Sequence, residues 1–183
     1  PSPIVFNARF TVKVGVRCSA ECKLTGKEIE IYDHDGTRVA TGTLGGVPWS
    51  GTSALYWVEA ELEAPGTGGC YRWAVKFPKP DLELPHEGSA DTFAFVTARP
   101  PDHVVTVEVI DEATKTPIKN AYVVLPPYSG CTDDAGVARV SVAKGEYKLY
   151  VGAKDYEDFQ KTAEVASDVA VKAELLFAPD CVF

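Results

Sequence analysis

From Phe10 to Cys18 every second residue is apolar. Phe10, Val12, Val14, Val16 and Cys18 alternate with Thr11, Lys13, Gly15 and Arg17. A period of two sends one set to one face of an extended chain and the other set to the opposite face, so the segment reads as a half-buried strand. The pattern recurs. Ile29 and Ile31 alternate with Glu28 and Glu30, and Tyr56, Val58, Ala60 and Leu62 stand opposite Glu59, Glu61 and Glu63. Tyr71, Trp73, Val75 and Phe77 face inward against Arg72 and Lys76, and Phe93 and Phe95 mark a further strand. Turn chemistry separates these runs. Asp33-His34-Asp35-Gly36 predicts a hairpin into a partner strand over 37–43, because glycine accepts a positive φ without steric cost. A loop rich in Gly, Pro and Ser covers 45–53, Pro65-Gly66-Thr67-Gly68-Gly69 makes a turn, and Pro78-Lys79-Pro80 ends the strand before it. About seven short strands with regular turns predict an antiparallel β-sandwich in this half.

Arg99-Pro100-Pro101-Asp102 interrupts the pattern. A proline pair stiffens a linker and resists both helix and central strand. The chain of 183 residues is long enough for two domains. The expected division is 1–99 and 103–183, with the break between about 97 and 104. Val105, Val107 and Val109 restart the alternation, and further strands are expected at 121–125, 137–142, 147–153 and 169–176. No stretch has the period of a long amphipathic helix, and only 155–162 is expected to form one short helical turn. The fold class expected is therefore all-β, two tandem antiparallel β-sandwiches.

Three motifs in the second half point to a family. The run 105–110 (VTVEVI) leads through Thr116-Pro117-Ile118-Lys119-Asn120-Ala121 into Tyr122 and Val123. Thr132-Asp133-Asp134-Ala135-Gly136-Val137 is a Thr-Asp-x-x-Gly turn into a strand. Gly145, Tyr147, Leu149 and Val151 follow a Gly-x-Tyr-x-Leu-x-Val pattern with the trailing aromatic Tyr156. Over about 103–177 this resembles the carboxypeptidase regulatory-like domains, which are transthyretin-like sandwiches. The resemblance implies an accessory module and carries over no catalytic residue. The first half is similar to immunoglobulin-like sandwiches in general, and its turn at 61–67 running into Tyr71-Arg72-Trp73 is similar to bacterial sandwich domains.

Charge narrows the function. The formal net charge is -8 and the pI about 4.9. Nucleic-acid binding needs clustered Lys and Arg to displace counterions, so no nucleic-acid partner is expected. No apolar run reaches the roughly 20 residues that cross a bilayer, so no membrane insertion is expected. The chain begins Pro1-Ser2-Pro3 and contains no Met. An initiator Met removed before Pro1 implies a cytoplasmic protein, and a trimmed chain implies a processed extracellular or periplasmic one.

The candidate sites are few. Cys18 and Cys22 flank a turn at Ser19-Ala20-Glu21, where a local disulfide is one reading. The five cysteines cannot all pair within one chain. His34, His86 and His103 are scattered, and zinc sites usually show two short-spaced ligand pairs, so no metal and no cofactor are expected. Asp33 with Asp35, and Asp133 with Asp134, read as turns rather than calcium loops. A Cys nucleophile with His86 or His103 has no local support, and no Gly-x-Ser-x-Gly elbow is present, so no catalytic residue is assigned. Trp49 lies in a Gly- and Pro-rich loop, and Trp57 falls on the face opposite Tyr56. Trp49, Trp57, Glu59 and Glu61 are the candidate binding residues, against the alternative that both tryptophans simply pack. The function expected is a non-catalytic protein-interaction or assembly module, with the acidic strand favouring a basic partner. One alternative is a carbohydrate-binding module using Trp49 and Trp57, with a glycan as ligand. The other is an enzyme with a site at the domain junction.

Overall fold

The computed structural model describes residues 3–82 and 85–178. All regular structure among them is strand, and no helix is long and apolar enough to cross a membrane. The fold is all-β. Contacts divide the chain into two compact units, Ile4–Thr97 and a second that runs from Ala98 and includes Pro3.

In the first unit the strands are β1 (Ile4–Val5), β2 (Arg9–Arg17), β3 (Glu28–Tyr32), β4 (Arg38–Thr43), β5 (Leu55–Glu63), β6 (Gly69–Phe77) and β7 (Ser89–Ala98). They form a five-stranded sheet, β1-β7-β6-β3-β4, and a two-stranded sheet, β2-β5. β2 and β5 pair antiparallel over nine residues, from Arg9 opposite Glu63 to Arg17 opposite Leu55. The inward sets predicted from alternation meet between the sheets. Ile29, Ile31, Tyr56, Ala60, Leu62, Trp73 and Phe77 are buried there, with Phe10, Val12, Phe93 and Phe95 partly buried against them. Trp73 packs edge-on to Phe95 at 5.0 Å and to Phe93 at 6.2 Å between ring centroids, an arrangement the ring quadrupoles favour. The loop from Leu44 runs along β5: Gly45 N donates to Trp57 O and Trp49 N to Leu55 O.

The second unit contains β8 (His103–Asp111), β9 (Tyr122–Leu125), β10 (Tyr128–Cys131), β11 (Val137–Val142), β12 (Gly145–Gly152), β13 (Phe159–Val165) and β14 (Val169–Leu175). Its sheets are β10-β9-β12-β13 and β11-β8-β14. Val105, Val107, Val109, Val123, Leu125, Val142 and Leu149 are wholly buried between them. The family-like motifs occupy structural positions. Leu149 and Val151 lie in the core with Tyr147 half-buried beside them, and Tyr147 Oη donates to Ala143 O at 2.7 Å.

Two features differ from the sequence expectations. β14 runs parallel to β8, from Val169 opposite Val105 to Leu175 opposite Asp111. Alternation reports which face of a strand is buried and is silent about its neighbour's direction. Here β13 and β14 lie in different sheets, and the short link between them crosses from one to the other. Asp168 in that link fixes the start of the pair by accepting from Val104 N at 2.9 Å. The second difference is at 155–162, where no helical turn forms. Asp155 adopts φ 66, and Phe159–Val165 is a strand paired with β12 in the register Tyr147 opposite Ala163. Its alternation is diluted by the polar run Gln160-Lys161-Thr162, and only Phe159, Ala163 and Val165 turn toward the core.

Candidate functional sites

The two acidic loops are turns. Asp33 Oδ1 accepts from Asp35 N at 2.9 Å and Thr37 N at 2.8 Å, and Asp133 Oδ1 accepts from Ala135 N and Val137 N, both at 3.0 Å. One oxygen of each aspartate thus holds the backbone of its own turn, the role the sequence assigned to it.

Trp49 and Trp57 come together. Their rings meet edge-to-face at 5.1 Å, and Lys13 Nζ lies 5.5 Å from each ring centroid. Trp57 is half-buried on the outer face of the β2-β5 sheet, and Trp49 remains 40% exposed. Val47 in the same loop is 75% exposed. Val47 and Trp57 line a shallow depression of about 620 Å³ together with Gly45, Gly46, Pro48 and Glu59. The pair thus mixes the two sequence readings: each ring packs on the other, and an apolar rim is left at the surface.

Glu59 and Glu61 do not form a bare acidic stripe. Lys13 Nζ lies 3.1 Å from Glu59 and Arg9 Nη1 2.9 Å from Glu61. Antiparallel pairing sets the outward bases of β2 beside the outward acids of β5. The steering expected toward a basic partner loses its ground, because the neighbouring strand already answers these charges.

Sequence spacing did not bring out a third cluster. Cys18, at the end of β2, and Cys22, beyond the turn, converge on His86 from the β6–β7 connection. Cys18 Sγ lies 3.2 Å and Cys22 Sγ 3.3 Å from the same His86 Nε2, across sequence separations of 68 and 64. All three ligand atoms lie within 4.8 Å of one another. The two cysteines carry thiols rather than a disulfide. Cys18 is buried and the other two are half-buried. The Cys18 thiol is lowered to about 7, chiefly by the Cys22 backbone amide, with the Cys22 thiol, the Ala20 amide and His86 adding to it against the cost of burial. The local fold explains the convergence. Glu21 takes φ 56 and its amide donates to Cys18 O, which turns the chain so that Cys22 comes back beside Cys18. Lys27 Nζ donates to Asp81 O at 2.7 Å, which ties the same loop to the segment carrying His86. Cys70 and Cys131 are exposed thiols, and Cys181 lies outside the described residues.

A cleft of about 590 Å³ lies along β2 beside β7, lined by Val12, Val14, Val16, Val75, Phe77 and Phe93. Its ionisable lining is limited to Lys13, Arg17 and Asp91.

No protein-family model matches the chain, and no curated protein matches it. Among solved structures it is similar to a single-residue variant of the major pilin subunit of Bacillus cereus. That match has 12% identity and a TM-score of 0.36, and it covers 95% of this chain and 66% of that one. The chain spans about two thirds of that pilin's length. It is also similar to the group B streptococcus pilus 2b backbone protein, at 10% identity and TM-score 0.36, covering 97% and 96% of the two chains. The shaft pilin SpaA from Lactobacillus rhamnosus GG, as a double mutant, matches at 10% identity and TM-score 0.31, covering 96% and 100%. At these scores the likeness supplies no argument about what the chain does.

Proposed function

We propose that this chain is a non-catalytic interaction or assembly module that meets a protein partner through Val47, Trp49 and Trp57. The observation that carries this reading is the apolar rim beside the β5 depression. A valine 75% exposed lines it, and a tryptophan 40% exposed stands two residues further along the same loop, ring to ring with Trp57. Buried interface cores are rich in aromatic anchors, and loops at the rim of a sandwich are where such anchors gather. Non-catalysis is part of the proposal. Among the described residues, the cavities bordered by Val12 and Val47 bring no nucleophile, base and oxyanion donors to one point.

A glycan is the weaker ligand. A sugar stacks on an open ring face, whereas Lys13 stands over both tryptophans and Trp49 meets Trp57 edge-on. We assign the two units as tandem modules, the first immunoglobulin-like and the second carboxypeptidase regulatory-like. The buried Leu149 and Val151 and the turn from Asp133 to Gly136 support the second assignment.

The test compares Trp49→Ala and Val47→Asp with the parent chain, in binding to a partner captured by cross-linking in the native source. Binding should weaken by about 2 kcal/mol, roughly thirtyfold, while stability falls by less than about 1 kcal/mol. If each variant loses several kcal/mol of stability and the folded fraction binds as before, the tryptophans are packing and the proposal fails.

A further inference from the structure

Two thiols sharing one imidazole nitrogen is an unusual arrangement for hydrogen bonding alone. Nε2 offers a single in-plane direction, either as an N–H donor or as a lone pair, so it serves one sulfur well and the other poorly. Yet Cys18 Sγ and Cys22 Sγ stand at nearly equal distances from it, 3.2 and 3.3 Å. A cation at the centre of the triangle would satisfy all three atoms at once. In a tetrahedral zinc site, with Zn–S about 2.3 Å and Zn–N about 2.05 Å, sulfur and nitrogen lie about 3.6 Å apart, so each sulfur–nitrogen distance needs to open by only about 0.3–0.4 Å.

We propose that Cys18, Cys22 and His86 form a zinc site that pins the β2–β3 loop to the β6–β7 connection. The donor set is two sulfurs and one imidazole nitrogen, which suits a borderline-soft d10 ion and does not suit magnesium or calcium. On binding, each thiol releases its proton to solvent and coordinates as thiolate, and the imidazole binds neutral through Nε2. Cys18, Cys22 and His86 supply three of the four ligands that a tetrahedral zinc ion takes. The segments joined are already adjacent: Lys27 Nζ bonds to Asp81 O, and Leu24 and Leu82 pack into the same core. Zinc therefore locks an existing contact between regions more than 60 residues apart, and its part is structural.

A simple Cys–His nucleophilic pair is the competing use of these groups. It needs one sulfur rather than two, and so leaves the second thiol at the same nitrogen without a part.

The experiment uses the full chain, reduced, stripped of metal with a chelator and titrated with Zn²⁺ against a competing indicator. One equivalent should bind, and Co²⁺ in its place should give a thiolate-to-cobalt charge-transfer band with tetrahedral visible bands. His86→Gln and Cys22→Ser should each weaken zinc binding by about a hundredfold or more, since loss of groups that merely support ligands already costs 10- to about 100-fold. The double variant Cys70→Ser, Cys131→Ser should bind as the parent does. If the ligand variants fail to fold, alkylation of the parent decides: zinc should protect Cys18 and Cys22 while Cys70 and Cys131 react. Substoichiometric binding, parental affinity in both ligand variants, or alkylation of Cys18 and Cys22 that is the same with and without zinc would overturn the proposal.

Discussion

Asp33 and Asp133 make the same turn in the two units. Each carboxylate accepts from the amides two and four residues on, and each turn carries a glycine at positive φ, 80° at Gly36 and 73° at Gly136. Their surroundings differ. The Asp33 turn closes the β3–β4 hairpin within one sheet, and nothing lies within 4 Å of where a Gly36 Cβ would stand. The Asp133 turn carries the chain from one sheet of its unit to the other. A Cβ on Gly136 would meet Val109 O at 2.7 Å and Pro117 Cβ at 2.8 Å. Local chemistry sets the shape of a turn, and packing sets what a change there costs. The cores repeat the contrast. The valines of β8 are wholly buried, whereas Val12, Val14 and Val16 of β2 are only half-buried along an open cleft.

The largest effect should come where the core is closed. Leu149→Ala should cost about 4 kcal/mol, because a fully buried leucine leaves a cavity that the surroundings fill only in part. Val14→Ala should cost about 1 kcal/mol, since the residue already borders solvent. Urea unfolding monitored separately for each unit checks this. Equal costs would mean that the cleft beside β2 is closed in solution.

The turn glycines come next. Gly136→Ala should cost about 3 kcal/mol, combining left-handed strain of about 1–2 kcal/mol with overlap on backbone that cannot move aside. Gly36→Ala bears the strain alone and should cost about 1 kcal/mol. If the two costs agree within error, packing around Gly136 relaxes freely and the contrast between the turns disappears.

A smaller, pH-dependent difference separates two carboxylates. Asp111 is buried and held below the ordinary aspartate range, first by the Thr114 amide, with Tyr156 Oη and the Ala113 amide contributing. Its folded value is depressed, so its stabilisation is complete above the unfolded value near 3.9 and is lost as pH falls through the lower folded value. Asp111→Asn should therefore destabilise the second unit at neutral pH, with the two unfolding curves converging in acid below the usual aspartate range. In the first unit Glu30 is lowered by Tyr32 Oη and Arg38, and Glu30→Gln should show the same sign. A constant gap between parent and Asp111→Asn down to strong acid would remove the carboxylate from the account.

Much of this was legible in the sequence, for a physical reason. Where one face of a strand is buried, alternation marks it, and β2, β5, β6, β8, β11 and β12 fall where it predicts. Asp33 and Asp133 announce their turns because the amides that they bind lie within four residues. The direction of β14 was hidden, because pairing direction leaves no trace in which face is apolar. β13 was hidden because polar residues outnumber its inward ones. The thiol–imidazole cluster was hidden by distance along the chain: Cys18 and Cys22 give half of a ligand pattern, and His86 arrives from a proline-flanked connection more than 60 residues later. A short Cys-x-x-x-Cys across a turn, with one histidine in a long connection of the same sandwich, was the available signal.

The smallest effect concerns the outer face of β2 and β5. Lys13 pairs with Glu59 and Arg9 with Glu61, and all four side chains are at least half exposed. Exposed pairs gain little, because water screens the attraction and two long side chains lose freedom in meeting. A double-mutant cycle on Lys13→Ala and Glu59→Ala should give a coupling of about 0.5 kcal/mol that falls with added salt. Lys13 has a second contact, however, over both tryptophan rings. Cation–π attraction at an exposed site is worth about 0.5–1 kcal/mol and does not depend on Glu59. Lys13→Ala alone should therefore cost more than Glu59→Ala, and the excess should vanish in a Trp49→Ala, Trp57→Leu background. If Glu59→Ala costs as much as Lys13→Ala in every background, the lysine serves the acid alone. The ring faces would then be open to a ligand, which would sharpen the case for a glycan over a protein at this surface.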